Sequence, residues 1–212
     1  MKIYAISGLG ADERVFQFLD LPMELVCIKW APWNGHNLQS YAKLLCEQID
    51  TSERFVLMGV SFGGIVAVEM NQFCAPEKTI LISSAETWKD LPSWYFLLSS
   101  IHLIRFLPPA LFNLPRPLAN FLFGAKNKVL LDQILNDTDL DFVKWSMGQI
   151  RIWRSDSRLD KCVRIHGSAD RVIPLKLGSR IRVIPGGPHF MIVDEVANVQ
   201  SSIISEVASL NA

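Results

Sequence analysis

The sequence predicts an α/β fold, a mostly parallel sheet of about six strands flanked by helices, with a helical cap insertion between the two halves of the sheet. Three observations carry this reading. Short apolar runs alternate with helix-length segments, the pattern of βα units that assemble a parallel sheet. From about residue 88 to 158 the alternation gives way to a helical, irregular stretch rich in Leu, Phe, Trp and Pro, and it resumes at residue 162. The chain has 212 residues, half of them apolar, which suits one compact domain with a sizeable core and apolar material left for a pocket. Residues 1–87 and 159–212 are therefore assigned to the core, and residues 88–158 to a cap or lid over one edge of the sheet.

The elements follow in order. Residues 2–7 (KIYAIS) read as a strand running into Gly8-Leu9-Gly10. Asp12 can cap a short helix reaching about Leu19. Residues 25–30 (LVCIKW) form the next strand, and Asn34-Gly35 marks a turn. Leu38, Tyr41, Leu45 and Ile49 fall at helical spacing, so a helix is expected over 38–49. Residues 55–59 (FVLMG) are a strand, and a helix follows from Gly63 to about Phe73. Residues 79–83 (TILIS), 162–166 (CVRIH) and 180–184 (RIRVI) are further strands, and 194–210 reads as a closing helix. There is no internal repeat and no low-complexity tract.

Composition excludes several classes of function. Lys+Arg and Asp+Glu are equal at 21 each, so neither a nucleic-acid footprint nor docking on anionic lipid is expected. The four cysteines, Cys27, Cys46, Cys74 and Cys162, are far apart and form no CxxC pair. They read as small apolar core residues of a reduced compartment, not as a zinc or redox motif. The apolar stretch at the N-terminus is too short and interrupted for a signal peptide. The most membrane-like stretch, residues 94–112, is broken by Arg105 and Pro108-Pro109, so no membrane insertion is expected and a cytoplasmic location is the default. The oligomeric state is left open.

The strongest motif is Gly59-Val60-Ser61-Phe62-Gly63-Gly64. It matches G-x-S-x-G and lies between an apolar strand and a helix, where that motif must lie. The serine sits in a sharp, strained strand-to-helix turn, and side chains two residues before or after it would collide. The turn lifts the hydroxyl over the end of the sheet, and the following helix N-terminus favours developing negative charge. Ser61 is the candidate nucleophile.

A serine hydroxyl needs a base. Of His36, His102, His166 and His189, only His189 stands on a Gly-rich loop (Gly186-Gly187-Pro188-His189-Phe190) after the last strand and before the last helix. The other three read as structural or surface residues, with His102 a candidate for lining the pocket. A carboxylate must fix the tautomer and orientation of the base. Asp170, in His166-Gly167-Ser168-Ala169-Asp170-Arg171-Val172-Ile173-Pro174, directly follows the penultimate strand. Asp in such a loop often only caps a turn, but the chain order Ser61, Asp170, His189 favours the catalytic role.

Together Gly59–Gly64, the HGSADRVIP segment and the GGPHF segment resemble the three catalytic loops of the α/β-hydrolase superfamily. The resemblance extends over essentially the whole chain and likens residues 88–158 to that superfamily's cap. It implies a Ser61–His189–Asp170 triad with no metal or organic cofactor. It also implies an oxyanion hole made by the backbone N–H groups of Leu9 and Phe62, although Ser7-Gly8-Leu9-Gly10 stands where many relatives carry His-Gly. The first strand corresponds to the third of the superfamily, so a minimal version lacking two N-terminal strands is expected.

The expected activity is acyl transfer to water, an esterase-like hydrolysis of a small, largely apolar substrate. Trp88, Trp94, Tyr95, Phe96, Phe106, Phe112, Phe121 and Phe123 crowd the insertion. Some would line an apolar pocket, and most would form the cap's own core. Acyltransferase, thioesterase and carbon–carbon lyase chemistry use the same triad, and a binding protein with little turnover uses the same fold. Gly8-Leu9-Gly10 also brings to mind a dinucleotide site, but Glu13 occupies the position of the third glycine in that fingerprint.

Overall fold

A computed structural model describes residues 1–93, 95, 108–156, 158–178 and 180–210. Six strands, Lys2–Ile6 (β1), Leu25–Cys27 (β2), Phe55–Val60 (β3), Lys78–Ile82 (β4), Cys162–Gly167 (β5) and Ile181–Ile184 (β6), form one sheet in the order β2-β1-β3-β4-β5-β6. Every pairing is parallel. The chain starts at β1 inside the sheet, steps to β2 at one edge, then returns to β3 on the other side of β1 and proceeds to β6. The loops after β1 and β3 therefore leave in opposite directions, and they open a crevice at the carboxyl ends of these strands.

The strands alternate their side chains between two cores, as the pleat requires. Tyr4, Ile6, Leu57 and Leu81 enter one core. Ile3, Ala5, Val56, Met58, Ile80 and Ile82 enter the other. The first core is closed by helices α1 (Leu38–Cys46) and α2 (Phe62–Met70). The second is closed by Val199, Ile203 and Val207 of the closing helix. Asn37 starts α1 with a capping box, its side chain accepting from Ser40 N–H while the Ser40 hydroxyl accepts from Asn37 N–H.

Helices α3 (Arg116–Phe123), α4 (Lys128–Asp137) and α5 (Leu140–Ile152) follow between β4 and β5. They are tied to the sheet half of the chain at several points. Phe190 N–H donates to Phe123 O at 3.0 Å, the Thr138 hydroxyl lies 3.0 Å from Gly10 O, and Gln149 Oε1 accepts from Leu38 N–H at 2.9 Å.

Several boundaries differ from the sequence reading. The helix expected over 12–19 is a single 3₁₀ turn, Glu13–Phe16, which Asp12 caps by accepting from Arg14 N–H. The strand expected over 25–30 stops at Cys27 because the Gln48 carboxamide takes over both backbone groups of Lys29, at 2.9 Å each. The closing helix expected over 194–210 is α7 (Val196–Ala208), and a further turn of helix, α6 (Met191–Asp194), precedes it, separated where Glu195 leaves helical geometry at φ −122° and ψ 39°. The Asp194 carboxylate accepts from Lys126 and Asn127 N–H at the start of α4, which fixes α6 against that helix. All four cysteines are free thiols, but only Cys74 and Cys162 are buried; Cys27 and Cys46 are half-buried. Cys46 Sγ lies 3.2 Å from Cys74 Sγ.

Helix α2 is buried along its whole length and rests directly on the backbone of β1. A Cβ added at Gly63 would meet Ser7 O and lie 2.6 Å from Ile6 O. At Gly148, inside α5, a Cβ meets nothing within 4 Å. Urea unfolding is expected to show Gly63→Ala losing about 1–3 kcal/mol or more through overpacking. Gly148→Ala should gain roughly 0.5–1 kcal/mol by reducing the freedom of the unfolded chain.

Candidate active site

Ser61 joins β3 to α2 with φ 52° and ψ −121°, a strained backbone for a residue with a side chain. Three glycines make the conformation possible. A Cβ at Gly59 would collide with Gly63 O and the Gly64 backbone, and one at Gly64 would lie 2.5 Å from Ser84 Cβ. Hydrogen bonds hold the turn from both sides. Ser61 N–H donates to Ile82 O at 2.9 Å, and the Ser84 hydroxyl donates to Ser61 O at 2.6 Å.

The structure brings Ser61, His189 and Asp170 together from three separate loops at the carboxyl end of the sheet. His189 Nε2 lies 3.0 Å from Ser61 Oγ, and His189 Nδ1 lies 2.8 Å from Asp170 Oδ2. Both His189 and Asp170 are buried. The other carboxylate oxygen of Asp170 accepts from Val172 and Ile173 N–H, each at 2.9 Å. With its carboxylate so engaged, Asp170 requires the hydrogen on His189 Nδ1, which leaves Nε2 free to accept from the Ser61 hydroxyl. The His189 loop is anchored in turn, since Ala169 N–H donates to Gly187 O at 3.0 Å. A Cβ at Gly167 would strike the carbonyl group of Gly187.

A cavity of about 410 Å³ opens on this group of residues. Leu9 and Phe62 border it beside Ser61. Phe62 is the first residue of α2, whose N–H has no acceptor inside the helix, and among the described residues no hydrogen bond engages Leu9 N–H. Gly8 brings the β1 loop alongside the serine, for a Cβ there would lie 3.5 Å from Ser61 Cβ. The other walls are mostly aliphatic. Leu140, Val143, Met147 and Ile150 line the cavity from one face of α5, and Leu131 and Ile134 line it from α4.

Among the described residues the aromatic side chains of the insertion divide between the cavity and other surroundings. Tyr95 and Phe123 line the cavity. Trp88 borders a separate cleft, and Phe121 is exposed under the Arg171 guanidinium, 4.3 Å from its ring centre. Trp94, Phe96 and Phe106 and the side chain of Phe112 lie outside the described residues, as does His102. The aliphatic lining escaped the sequence reading, although its helical spacing in residues 131–150 was the signal that could have found it. Two histidines sit where structural roles place them. His36 is half-buried beside Ser40. His166 is fully buried behind Asp170, its Nε2 2.7 Å from Ile173 O and 3.5 Å from Asp170 Oδ2. Among the described residues no group of three His, Cys, Asp or Glu could hold a metal ion, and no helix is long and apolar enough to cross a membrane.

Comparison with known proteins places this architecture. No family model matches the chain, and no curated protein matches it in sequence. Solved structures match over nearly its full length. An esterase from Thermogutta terrifontis is 13% identical, with a TM-score of 0.68 over 100% of this chain and 91% of that one. A thioesterase of the prodiginine pathway of Streptomyces coelicolor is 14% identical, with a TM-score of 0.64 over 97% and 90%. A putative non-heme bromoperoxidase from Mycobacterium tuberculosis is 17% identical, with a TM-score of 0.66 over 100% and 94%. The fold is the α/β-hydrolase fold.

Burial holds the His166 imidazole below its ordinary pKa near 6.5, outweighing its bond to Ile173 O and the nearby Asp170 carboxylate. The folded protein therefore binds this proton less readily than the unfolded chain, so its contribution to stability is complete above about pH 6.5 and is lost as the pH falls below that value. Urea midpoints of wild type should decline between about pH 7.5 and 5.5, and the decline should be shallower in His166→Gln. Equal slopes would refute a neutral buried imidazole.

Proposed function

We propose that the chain is a serine hydrolase of the carboxylesterase type, cleaving the ester or a related acyl bond of a small, largely apolar substrate through an acyl-enzyme. One observation carries the reading: an unbroken hydrogen-bonded chain from Asp170 through His189 to Ser61, ending in an apolar cavity. In this reading residues 88–158 act as the cap, supplying α4 and α5 as the cavity's aliphatic walls.

Each proton has a place to go. As Ser61 Oγ attacks the substrate carbonyl carbon, its proton passes to His189 Nε2. The imidazolium that forms is stabilised by the buried Asp170 carboxylate on Nδ1. The carbonyl oxygen takes the negative charge and receives the N–H groups of Leu9 and Phe62, where the start of α2 adds its partial positive charge. His189 then gives its proton to the departing alcohol. Water repeats the sequence on the acyl-enzyme and releases the acid. The similar structures include an esterase and a thioesterase, which supports hydrolysis as the class of reaction.

A fluorophosphonate probe followed by intact-mass measurement should add one label to wild type and none to Ser61→Ala. Absence of label on folded wild type would leave a ligand-binding protein as the better reading. Asp170→Asn should keep the fold and lower kcat by about 10⁴-fold, because the wrong tautomer of His189 is held. In an ester panel, short uncharged acyl chains should be preferred over dicarboxylate half-esters, and equal rates would remove the apolar-substrate part of the proposal.

A further inference from the structure

A second opening, of about 490 Å³, lies beside the Ser61 cavity and is lined by Trp88, Lys89, Leu91, Ser93, Arg154 and Lys176. Leu91 borders both spaces, so the two are neighbours across one side chain. The Ser61 cavity is mostly apolar, whereas the described residues of the second cleft gather three cations around an indole and include no carboxylate.

These cations are placed by the fold. The Lys176 ammonium donates to Lys89 O at 2.7 Å and to Leu91 O at 2.8 Å, which sets its charge at the wall shared with the Ser61 cavity. Lys89 Nζ and Arg154 Cζ each lie 5.9 Å from the centre of the Trp88 ring. Trp88 N–H donates to Ser155 O at 2.9 Å and so joins the two sides of the cleft. Two carboxylates close in sequence to Trp88 and Lys89 are engaged elsewhere. Glu86 and Asp90 are buried and bind the Arg158 guanidinium, with Leu159 N–H also on Glu86 and Arg164 beside Asp90. Among the described residues neither Lys89 nor Lys176 forms an ion pair. The ammonium groups of Lys89 and Lys176, held in one cleft without an ion-pair partner among the described residues, repel one another, and a bound anion removes that repulsion.

We propose that this cleft is a subsite for an anionic, phosphate-type group carried by the substrate. The aliphatic cavity at Ser61 suits the acyl chain, so the anion belongs to the other half of the molecule, the alcohol or thiol that leaves. The proposal rests on the hydrolase reading for its chemistry, but its binding step can be measured without turnover.

The test begins with inorganic pyrophosphate titrated by calorimetry into Ser61→Ala protein. Saturable binding is expected, weakened about tenfold in the added pair Lys89→Gln and Arg154→Gln and retained in Lys89→Arg with Arg154→Lys. Thermal unfolding establishes that both sets are folded. With Ser61 present, hexanoyl-coenzyme A is compared with hexanoyl-N-acetylcysteamine, which offers the same thioester without phosphate. The ratio of their kcat/KM values should fall about tenfold in the glutamine pair, mainly through KM. Pyrophosphate should also displace hexanoyl-coenzyme A from Ser61→Ala protein. Absence of pyrophosphate binding to folded protein overturns the subsite whatever the hydrolysis assays show. Binding without displacement assigns the cleft to a free anion and overturns its place on the substrate. Binding with displacement but no cleavage of any thioester or ester supports the subsite and refutes the hydrolase reading.

Discussion

Backbone strain at Ser61 is the constraint around which the rest is arranged. A residue with a side chain is held at positive φ, at a cost of order 1–3 kcal/mol that surrounding structure must offset. The offset is visible atom by atom. The Ser61 N–H donates to Ile82 O of β4, the Ser84 hydroxyl donates to the Ser61 carbonyl oxygen, and three glycines let strand, turn and helix close to backbone contact. Because α2 lies against β1 at Gly63, the same packing that bends the chain at Ser61 brings the β1 loop beside it. Strand order, loop approach and serine placement are thus one geometric solution.

The second half of the site is built differently. Asp170 is positioned by its own loop, whose Val172 and Ile173 N–H groups bind one carboxylate oxygen and leave the other for His189. Ile173 returns its carbonyl to His166 on β5, so the loop is closed against the strand that launches it. The carboxylate therefore keeps its direction without help from solvent. Its burial makes the bond to His189 electrostatically stronger than the same bond in water.

Much of this was legible in the residues. The central strands were readable because β1, β3 and β4 pack both faces into apolar cores, leaving runs such as FVLMG and TILIS with no exposed polar face to blur them. Ser61 was readable because steric exclusion leaves only glycine around it. Asp170 and His189 followed from loop position, and the structure brings their side chains together with that of Ser61. What resisted was set by distant partners. Nothing local in LVCIKW says that Gln48 will take the Lys29 backbone, and nothing in 194–210 announces the break at Glu195. The aliphatic part of the cavity lining went unread because aromatic density is conspicuous in a sequence, whereas an aliphatic stripe spread over α4 and α5 is not. Trp88, one of the aromatics crowding the insertion, lines the cationic cleft.

The bond from Phe190 N–H to Phe123 O has a mechanical consequence. Phe123 ends α3 and lines the Ser61 cavity, and Phe190 immediately follows His189. Gly124 sits so tightly on Pro188 that a Cβ would come within 2.5 Å of its ring. A displacement of α3 wide enough to enlarge the cavity must stretch this joint, on either side of the imidazole. Widening of the cavity and alignment of His189 are in that sense geared together, and a chain that yields too readily at α3 would lose its grip on the histidine at the same moment.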